Sequence, residues 1–461
     1  MPQRTPTEPD ARRRIPRTDT LLAAPEFVAA AEQSGADAVK AAIQRAQSAA
    51  RAGRIAPEAV AAAALADLSD RHGRPTSLRR VVNATGVVLH TNLGRATLSP
   101  GAREAMTLAG GYCDVEFDLA DGRRARRGRG TLDALAERLP EGTGTLVVNN
   151  GAAALALVAA TLAVAAGRPE IVVSRGELVE IGDGFRIPEL LESVGARLVE
   201  VGTTNRTHLR DYDAGIGPAT GFVLKVHPSN FRVSGFTSSV PIAALAPLCR
   251  ERDLPLVSDI GSGLLTPDPL LPHEPDATTT LTDGAAIVTA SCDKLLGGPQ
   301  GGLVVGEPAT VERVRRHPLA RAMRVDKTTL AALEASLRSP TPTHQALHAD
   351  ADTLRERAER LAAAVGSDPA CVGLTVEVVR SDGAVGGGCA PEVPLPGWAV
   401  RVPQRLAEPL RTGRDTAVDG ELPSVVGRLD DGALLLDVRC VTDSEIPLVA
   451  RALAAACREQ S

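Results

Sequence analysis

The sequence predicts an α/β protein with a mostly parallel sheet, preceded by a small helical domain and followed by a smaller α+β domain. After Val81, short runs of β-branched residues alternate with helical stretches, which is typical of a parallel sheet covered by helices on both faces. Before that point the chain is Ala-rich with helical spacing, and towards the C-terminus strand-like runs return. Ligands of such sheets bind at the carboxyl ends of the strands.

The first 80 residues contain the predicted helical domain. Residues 1–20 are rich in Pro, Thr and Arg, and we expect a disordered basic extension there. Residues 21–75 predict three or four short helices, separated by Gly and Pro. Residues 1–80 carry a net charge of +4 and the rest of the chain −9. This charge can attract a polyanion, although a solvated tail is the simpler interpretation.

The segment 81–335 is the predicted large domain and 336–461 the small C-terminal one. The predicted strands of the large domain are Thr145–Asn149, Glu170–Ser174, Arg197–Gly202, Gly221–His227, Leu254–Asp259, Ala286–Ser291 and Gly302–Gly306. Helices are predicted between most of them, for example over Gly151–Ala166, Arg186–Val194 and Ile242–Arg252. A long helical stretch is predicted over roughly Thr328–Val365, before the strand-like runs of the small domain.

Composition excludes several classes of protein. Aromatic residues make up only 2% of the chain, which excludes an aromatic-rich platform for stacking RNA bases. The seven cysteines form no CxxC pair, and no histidine cluster has metal-ligand spacing, so we predict neither a disulfide framework nor a metal site. The Ala-rich uncharged run Gly151–Gly167, which we interpret as a buried helix, is shorter than the ~20 residues that span a bilayer. We therefore expect a cytoplasmic protein without membrane segments.

Lysine is scarce, which narrows the search for a Schiff-base residue. Only four of the 51 Lys and Arg residues are lysines, namely Lys40, Lys225, Lys294 and Lys327. Lys294 alone combines the end of a predicted strand with a Gly-rich turn, where small residues admit a flat ligand. Such a lysine suits a Schiff base with pyridoxal phosphate, and Ser291 can bind the cofactor phosphate. Taken alone, an ordinary surface lysine would be the commoner case.

Two further segments support a cofactor site. Asp259 ends an apolar strand 35 residues before Lys294, and a carboxylate there can pair with the pyridine nitrogen of the cofactor. A helix cap is the alternative role for this residue. Asn150, Gly151 and Ala152 form a tight turn from a strand into a helix, whose backbone amides can bind a phosphate. A packing turn is the alternative here, but the three features together favour the cofactor site.

Five segments resemble the signatures of a known family, the bacterial selenocysteine synthases or L-seryl-tRNA(Sec) selenium transferases. They are VNATGVVLHTNLGRA at 82–96, SRGELVEIG at 174–182, VGTTNRT at 201–207, VHPSNF at 226–231 and ASCDKLLGGPQGG at 290–302. The resemblance covers nearly the whole chain from about residue 24 onward. One departure is Gly151, where the family commonly has a third asparagine.

The resemblance implies the fold-type I architecture of pyridoxal phosphate enzymes, with Lys294 as the cofactor lysine. It implies conversion of seryl-tRNA(Sec) to selenocysteinyl-tRNA(Sec) with selenophosphate, through an aminoacrylyl-tRNA. It also implies an N-terminal domain that binds the selenocysteine tRNA, and a homo-oligomer in which dimers assemble into a decamer. The net positive charge of residues 1–80 would then serve to bind this tRNA.

Other residues receive roles from the same resemblance. Arg95, Arg321 and Arg324 match positions that resemble selenophosphate ligands, and the last two, three apart, would share a face of one helix. A solvated helix face is the alternative for that pair. Asp293 would orient the leaving hydroxyl or the lysine, and His227 would contact the cofactor ring unless it is an ordinary buried histidine.

The basic run from Arg123 to Arg129 is predicted to be a solvated loop, or else a contact for tRNA phosphate or for the cofactor of a neighbouring subunit. Two other functions compete with the selenium transferase. One is a related lyase that acts on a free amino acid or an amino-sugar acid phosphate, without a tRNA domain. The other is an inactive tRNA-binding scaffold, which would bind no cofactor.

Overall fold

A computed structural model describes residues 14–72, 76–182, 184–231, 233–413, 415–416 and 420–459. The chain divides into two units, Met1–Arg80 and Val81–Ser461. Residues 1–13 of the predicted basic extension lie outside the described residues. Of the rest of that extension, Thr18 already begins a helix.

The first unit is helical, as its sequence pattern predicts. Its helices are α1 (Thr18–Leu22), α2 (Pro25–Ser34), α3 (Ala36–Arg51) and α4 (Val60–His72). Gly35 separates α2 from α3 and has a φ of 85°, a left-handed conformation that favours glycine. Along α3, Val39, Ile43 and Ala46 follow helical spacing and pack with Phe27 in the core of this unit.

The second unit contains all the strands of the described chain. They are β1 (Val81–Ala84), β2 (Val87–Leu89), β3 (Gly144–Val148), β4 (Glu170–Ser174), β5 (Glu180–Ile181), β6 (Phe185–Arg186), β7 (Arg197–Val201), β8 (Thr220–Val226), β9 (Leu256–Gly261), β10 (Ile287–Ser291), β11 (Gly302–Gly306), β12 (Glu377–Arg380), β13 (Gly383–Gly386), β14 (Cys389–Leu395), β15 (Trp398–Pro403), β16 (Asp415–Thr416), β17 (Gly420–Glu421), β18 (Ser424–Asp430) and β19 (Ala433–Asp437). Its helices are α5 (Pro100–Gly110), α6 (Arg129–Ala136), α7 (Gly151–Ala159), α8 (Ile187–Ser193), α9 (Leu209–Gly215), α10 (Ile242–Glu251), α11 (Ala277–Thr282), α12 (Pro308–Arg316), α13 (Leu319–Ala322), α14 (Lys327–Arg338), α15 (Pro342–Leu347), α16 (Ala351–Gly366), α17 (Ala407–Thr412) and α18 (Ile446–Arg458).

A seven-stranded sheet in the order β3-β11-β10-β9-β8-β4-β7 positions the candidate site. Strand β11 is antiparallel to both of its neighbours, and the other paired strands run parallel. The parallel strands therefore end at one edge of the sheet, where ligands bind in such folds. Each of the seven strands begins and ends within two residues of its predicted position. Helix α7 continues into one π-helical turn at Ala160–Val164. Together, the helix and this turn cover most of the helix predicted over Gly151–Ala166.

The C-terminal part forms a five-stranded sheet in the order β1-β18-β19-β15-β12. Its first strand comes from the beginning of the unit, because β1 pairs in parallel with β18. Helices α16 and α18 supply apolar residues such as Leu354, Leu361 and Leu453 to the core of this sheet. The long predicted helical stretch is divided into α14, α15 and α16, and Thr341 and Asp350 cap the second and third of these helices. The predicted α/β class, with a helical N-terminal and an α+β C-terminal part, is confirmed.

Within the described residues, no helix is both long and apolar enough to cross a membrane. Nor do the histidine, cysteine and acidic side chains described here form a cluster suited to a metal ion.

Candidate active site

The turn between β3 and α7 presents free backbone amides at a helix start. The side-chain oxygen of Asn150 caps the helix by accepting from the amide of Ala153 at 2.8 Å, and its carbonyl accepts from Ala154 at 3.0 Å. The amides of Gly151 and Ala152 belong to the first turn, where a helix has no internal acceptor for them. Those two amides are available to an anion, and the helix dipole favours one there.

Gly151 lies against the hydroxyl of Ser291, which ends β10. A Cβ added at Gly151 would lie 2.6 Å from Oγ of Ser291, closer than real side chains approach. The asparagine expected at this position would therefore displace Ser291, and glycine instead leaves its hydroxyl beside the helix start. The predicted group of Asn150, Gly151, Ala152 and Ser291 is thus brought together by the fold.

Lys294 lies three residues beyond β10, with its side chain buried at the carboxyl end of β9. A Cβ added at Gly261 would lie 4.0 Å from Nζ of Lys294 and 3.9 Å from Oγ of Ser229. The lysine turn is held by a 2.9 Å hydrogen bond from the amide of Leu295 to the carbonyl of Ser262. No described residue makes a hydrogen bond or ion pair with Nζ, so the amine is available to a ligand.

Asp259 lies in β9 beside the neighbouring strand β10, and Oγ1 of Thr289 donates to its Oδ1 at 2.8 Å. Burial raises the pKa of Asp259, while the Thr289 hydroxyl and the charge of Lys294 act in the opposite direction. A cation placed against this buried carboxylate would stabilise its charged form. Thr289 is not among the site residues predicted from the sequence. The signal that could have found it is its spacing of two residues from Ser291, which places both side chains on one face of β10.

Asp293 and Arg95 form an ion pair next to the lysine. Nη1 of Arg95 donates to Oδ2 of Asp293 at 2.8 Å, and the amide of Ala96 donates to the carbonyl of Asp293 at 3.3 Å. Arg95 has a φ of 59° and follows Gly94, whose φ is 91°. This left-handed turn brings two sites that are 198 residues apart in sequence into contact.

Arg324 also lies near the site, but not as predicted. Helix α13 ends at Ala322, so the expectation that Arg321 and Arg324 share a helical face is wrong. Instead Arg324 pairs with Val148 at the end of β3, and the amide of Asn149 donates to the carbonyl of Met323 at 2.9 Å. Arg321 is exposed on α13, and among the described residues no hydrogen bond or ion pair joins it to another predicted site residue.

Glu116 joins three arginines beside this strand end, although no local sequence pattern predicts such a cluster. Its carboxylate contacts Arg127 at 3.1 Å and both Arg124 and Arg324 at 3.3 Å. The hydrogen bond from Arg127 and the charges of the three arginines lower the pKa of Glu116. The basic run predicted to be solvated is thus partly ordered by ion pairs and by a hydrogen bond from Arg127 to the carbonyl of Val325 at 2.9 Å.

His227 follows β8, and its amide donates to the carbonyl of Asp259 at 3.0 Å. Its Nε2 lies 3.5 Å from Oε1 of Glu274, a buried residue without any recognisable sequence pattern. Both side chains line a cavity of about 520 Å³. His227 therefore connects the Asp259 strand to this cavity.

Two protein-family models match this chain. The family model described as L-seryl-tRNA selenium transferase matches residues 81–442, and the model described as selenocysteine synthase N terminal matches residues 12–51. The chain is 46% identical over 393 residues to an L-seryl-tRNA(Sec) selenium transferase of Moorella thermoacetica, covering 82% of each chain. It is also 46% identical over 423 residues to the enzyme of the same name from Nitratidesulfovibrio vulgaris, covering 87% of this chain and 88% of the relative.

Among solved structures, the chain is similar to D-glucosaminate-6-phosphate ammonia-lyase. The TM-score is 0.56 at 20% sequence identity, and the match covers 83% of this chain and 96% of the other. At that identity the likeness concerns the fold alone. The predicted fold-type I architecture is confirmed.

Proposed function

The chain belongs to the L-seryl-tRNA selenium transferase family, and on that premise we propose that it converts L-seryl-tRNA(Sec) to L-selenocysteinyl-tRNA(Sec) with selenophosphate as the selenium donor. The observation that carries this proposal is the family match over residues 81–442, which includes every residue of the candidate active site. The second match, over residues 12–51, covers part of the helical unit that we propose binds the tRNA.

We propose pyridoxal phosphate as the cofactor because the residues present fit its chemistry. The free amides of Gly151 and Ala152, with the Ser291 hydroxyl that occupies the space of a side chain at 151, suit the phosphate. Asp259 suits the pyridine nitrogen, and Lys294 suits the aldehyde carbon. When bound, pyridoxal phosphate supplies an electron sink for the bond that breaks at Cα of the seryl group.

The protein's own residues then have distinct proposed roles. Lys294 transfers a proton at Cα, since its amine is buried and has no partner among the described residues. Asp293 lies next to it and is held by Arg95, so it can orient either the amine or the serine hydroxyl. Burial of the amine limits access of water to the reacting atoms.

We propose that selenophosphate binds to arginines beside the lysine turn. Arg95 pairs with Asp293, and Arg324 lies at the end of β3 near the turn into α7, so both border the proposed cofactor site. Guanidinium groups recognise phosphate-like anions through paired hydrogen bonds. Arg321 is proposed as a third ligand on the strength of its family position.

Assembly into a homo-oligomer, with dimers forming a decamer, is part of the same proposal. The apolar side chains of Leu108, Tyr112 and Leu119 are exposed in the single chain. Exposed apolar side chains of this kind are typical of a surface that another subunit covers, which supports the proposed assembly.

The deciding experiment incubates the purified protein, loaded with pyridoxal phosphate, with serylated selenocysteine tRNA and selenophosphate. Hydrolysis of the product and mass spectrometry of the released amino acid should detect selenocysteine. A protein that binds the cofactor but releases only serine would contradict the proposal. Turnover of a free amino acid in its place would favour a lyase, and failure to bind the cofactor at all would favour a scaffold.

A further inference from the structure

The loop between α5 and α6 contains a short hairpin at residues 115–128, which carries arginines alongside Glu116. Across this hairpin, the amide of Ala125 donates to the carbonyl of Glu116 at 2.9 Å. The fold of the hairpin directs two arginines to the Glu116 carboxylate. Nη2 of Arg124 lies 3.3 Å from its Oε2, and Nη1 of Arg127 lies 3.1 Å from its Oε1. The carboxylate is therefore held between two members of the basic run.

Arg324 reaches the same carboxylate from a distant part of the chain. Its backbone pairs with Val148 at the end of β3, the strand that leads into the turn before α7. Its Nη1 donates to Oε1 of Glu116 at 3.3 Å, the oxygen that Arg127 also contacts. Among the described residues, the guanidinium of Arg324 makes no other hydrogen bond or ion pair, and the side chain is 41% exposed. Its other N–H donors are therefore available to a ligand.

Glu116 is the one acidic group that these three arginines share. The hydrogen bond from Arg127 and the charges of the arginines lower the pKa of Glu116, so it is a carboxylate at neutral pH. The three guanidinium groups outnumber this carboxylate by two charges, so the cluster still attracts an anion. Without Glu116, three like charges would repel one another, and the Arg324 side chain would lose its only described partner.

We propose that Glu116 is a positioning residue for selenium transfer, which holds Arg324 through Nη1 so that the remaining N–H donors face the anion of selenophosphate. The inference rests on the proposed function, in which Arg324 is a ligand of that donor. Glu116 itself does not touch the substrate. A long arginine side chain loses rotamer freedom when it binds an anion, and a carboxylate that orients it beforehand reduces this loss. Glu116 therefore acts on the affinity for the selenium donor, not on the affinity for tRNA.

The test compares the wild type with Glu116→Gln, both as full-length holoenzymes, while selenophosphate and seryl-tRNA(Sec) are varied separately. The KM for selenophosphate should rise about fivefold or more in Glu116→Gln, whereas kcat and the KM for seryl-tRNA(Sec) should stay within about twofold. Inorganic thiophosphate, in which sulfur replaces selenium, should bind more weakly by a similar factor in calorimetry. Glu116→Asp keeps the charge and should recover part of the loss. A lower KM in Glu116→Gln would show that the carboxylate repels the donor, which would overturn the inference.

A double-mutant cycle separates positioning from a merely structural role. In an Arg324→Ala background, Glu116→Gln should change the KM for selenophosphate by less than about twofold, because Glu116 acts through that arginine. Additive losses would show that Glu116 only stabilises the hairpin, and would overturn the inference.

Asp114→Asn is the matched control. Asp114 is an exposed carboxylate of the same loop, but it pairs with Arg129 at 3.3 Å. This variant should keep the wild-type KM for selenophosphate. An active wild type whose KM is unchanged by Glu116→Gln would refute this inference alone. A wild type that transfers no selenium would instead refute the proposed function, so the two failures are distinguishable.

Discussion

Nη1 of Arg95 donates a 2.8 Å hydrogen bond to Oδ2 of Asp293, the residue that precedes Lys294. The pair ties the loop after β2 to the lysine turn, and the backbone bond from Ala96 to Asp293 reinforces it. Asp293 is largely buried, whereas the Arg95 side chain is 38% exposed. The guanidinium is therefore held by the protein on one side and is accessible to solvent on the other.

Arg95→Ala should lower kcat/KM for selenium transfer by roughly tenfold to a hundredfold, because it removes a charged hydrogen bond and an anion ligand together. Cofactor binding, measured by absorbance titration with pyridoxal phosphate, should change little. Arg95→Lys keeps the charge but loses the paired donors, and should fall between the two. If Arg95→Ala retains wild-type transfer, Arg95 is not a ligand of the selenium donor.

Lys294→Ala should abolish covalent attachment of pyridoxal phosphate and reduce selenium transfer below detection. Reduction of the wild-type holoenzyme with borohydride, followed by proteolysis and mass spectrometry, should locate the cofactor on the peptide that contains Lys294. Lys327→Ala is the control, since the amine of Lys327 instead donates to the carbonyl of Gly111. Label on any other lysine in the wild type would contradict the assignment.

Gly151→Asn should weaken the affinity for pyridoxal phosphate by about tenfold or more, because its Cβ would displace the Ser291 hydroxyl 2.6 Å away. Ser291→Gly removes that hydroxyl, so the double variant should bind the cofactor more tightly than Gly151→Asn alone. Equilibrium dialysis of the four proteins measures this coupling directly. Strictly additive losses would show that the two positions do not share a phosphate site.

Much of this site could be predicted because its residues end regular strands. Asp259 and Lys294 follow buried apolar runs, and parallel pairing brings such ends to one edge of the sheet. Arg324 was misplaced because its local sequence continues a helical pattern. Its actual position depends on pairing with Val148, which is distant in sequence. Glu116 and Glu274 lie in loops with no periodicity, so only the folded chain reveals their partners.

Asp259→Asn should raise the melting temperature of the cofactor-free protein at pH 8. Burial raises the pKa of Asp259 in the folded state, so its contribution to stability is present at low pH and is lost as the pH rises through the folded pKa. The neutral amide avoids this loss and can still accept from Thr289. The rise should be roughly a degree or more at pH 8 and should vanish near pH 4, as measured by scanning calorimetry.

With pyridoxal phosphate bound, the wild type rather than Asp259→Asn should have the higher melting temperature at pH 8. The buried carboxylate gains a cationic partner when the pyridine nitrogen binds, so the cofactor should stabilise the wild type at pH 8 more than it stabilises Asp259→Asn. Thr289→Val is a useful comparison, since it removes the 2.8 Å hydrogen bond to Asp259 but keeps the carboxylate. That variant should be less stable than the wild type without cofactor, yet should still gain more from pyridoxal phosphate than Asp259→Asn does. Equal stabilisation of all three proteins would show that Asp259 does not face the ring nitrogen.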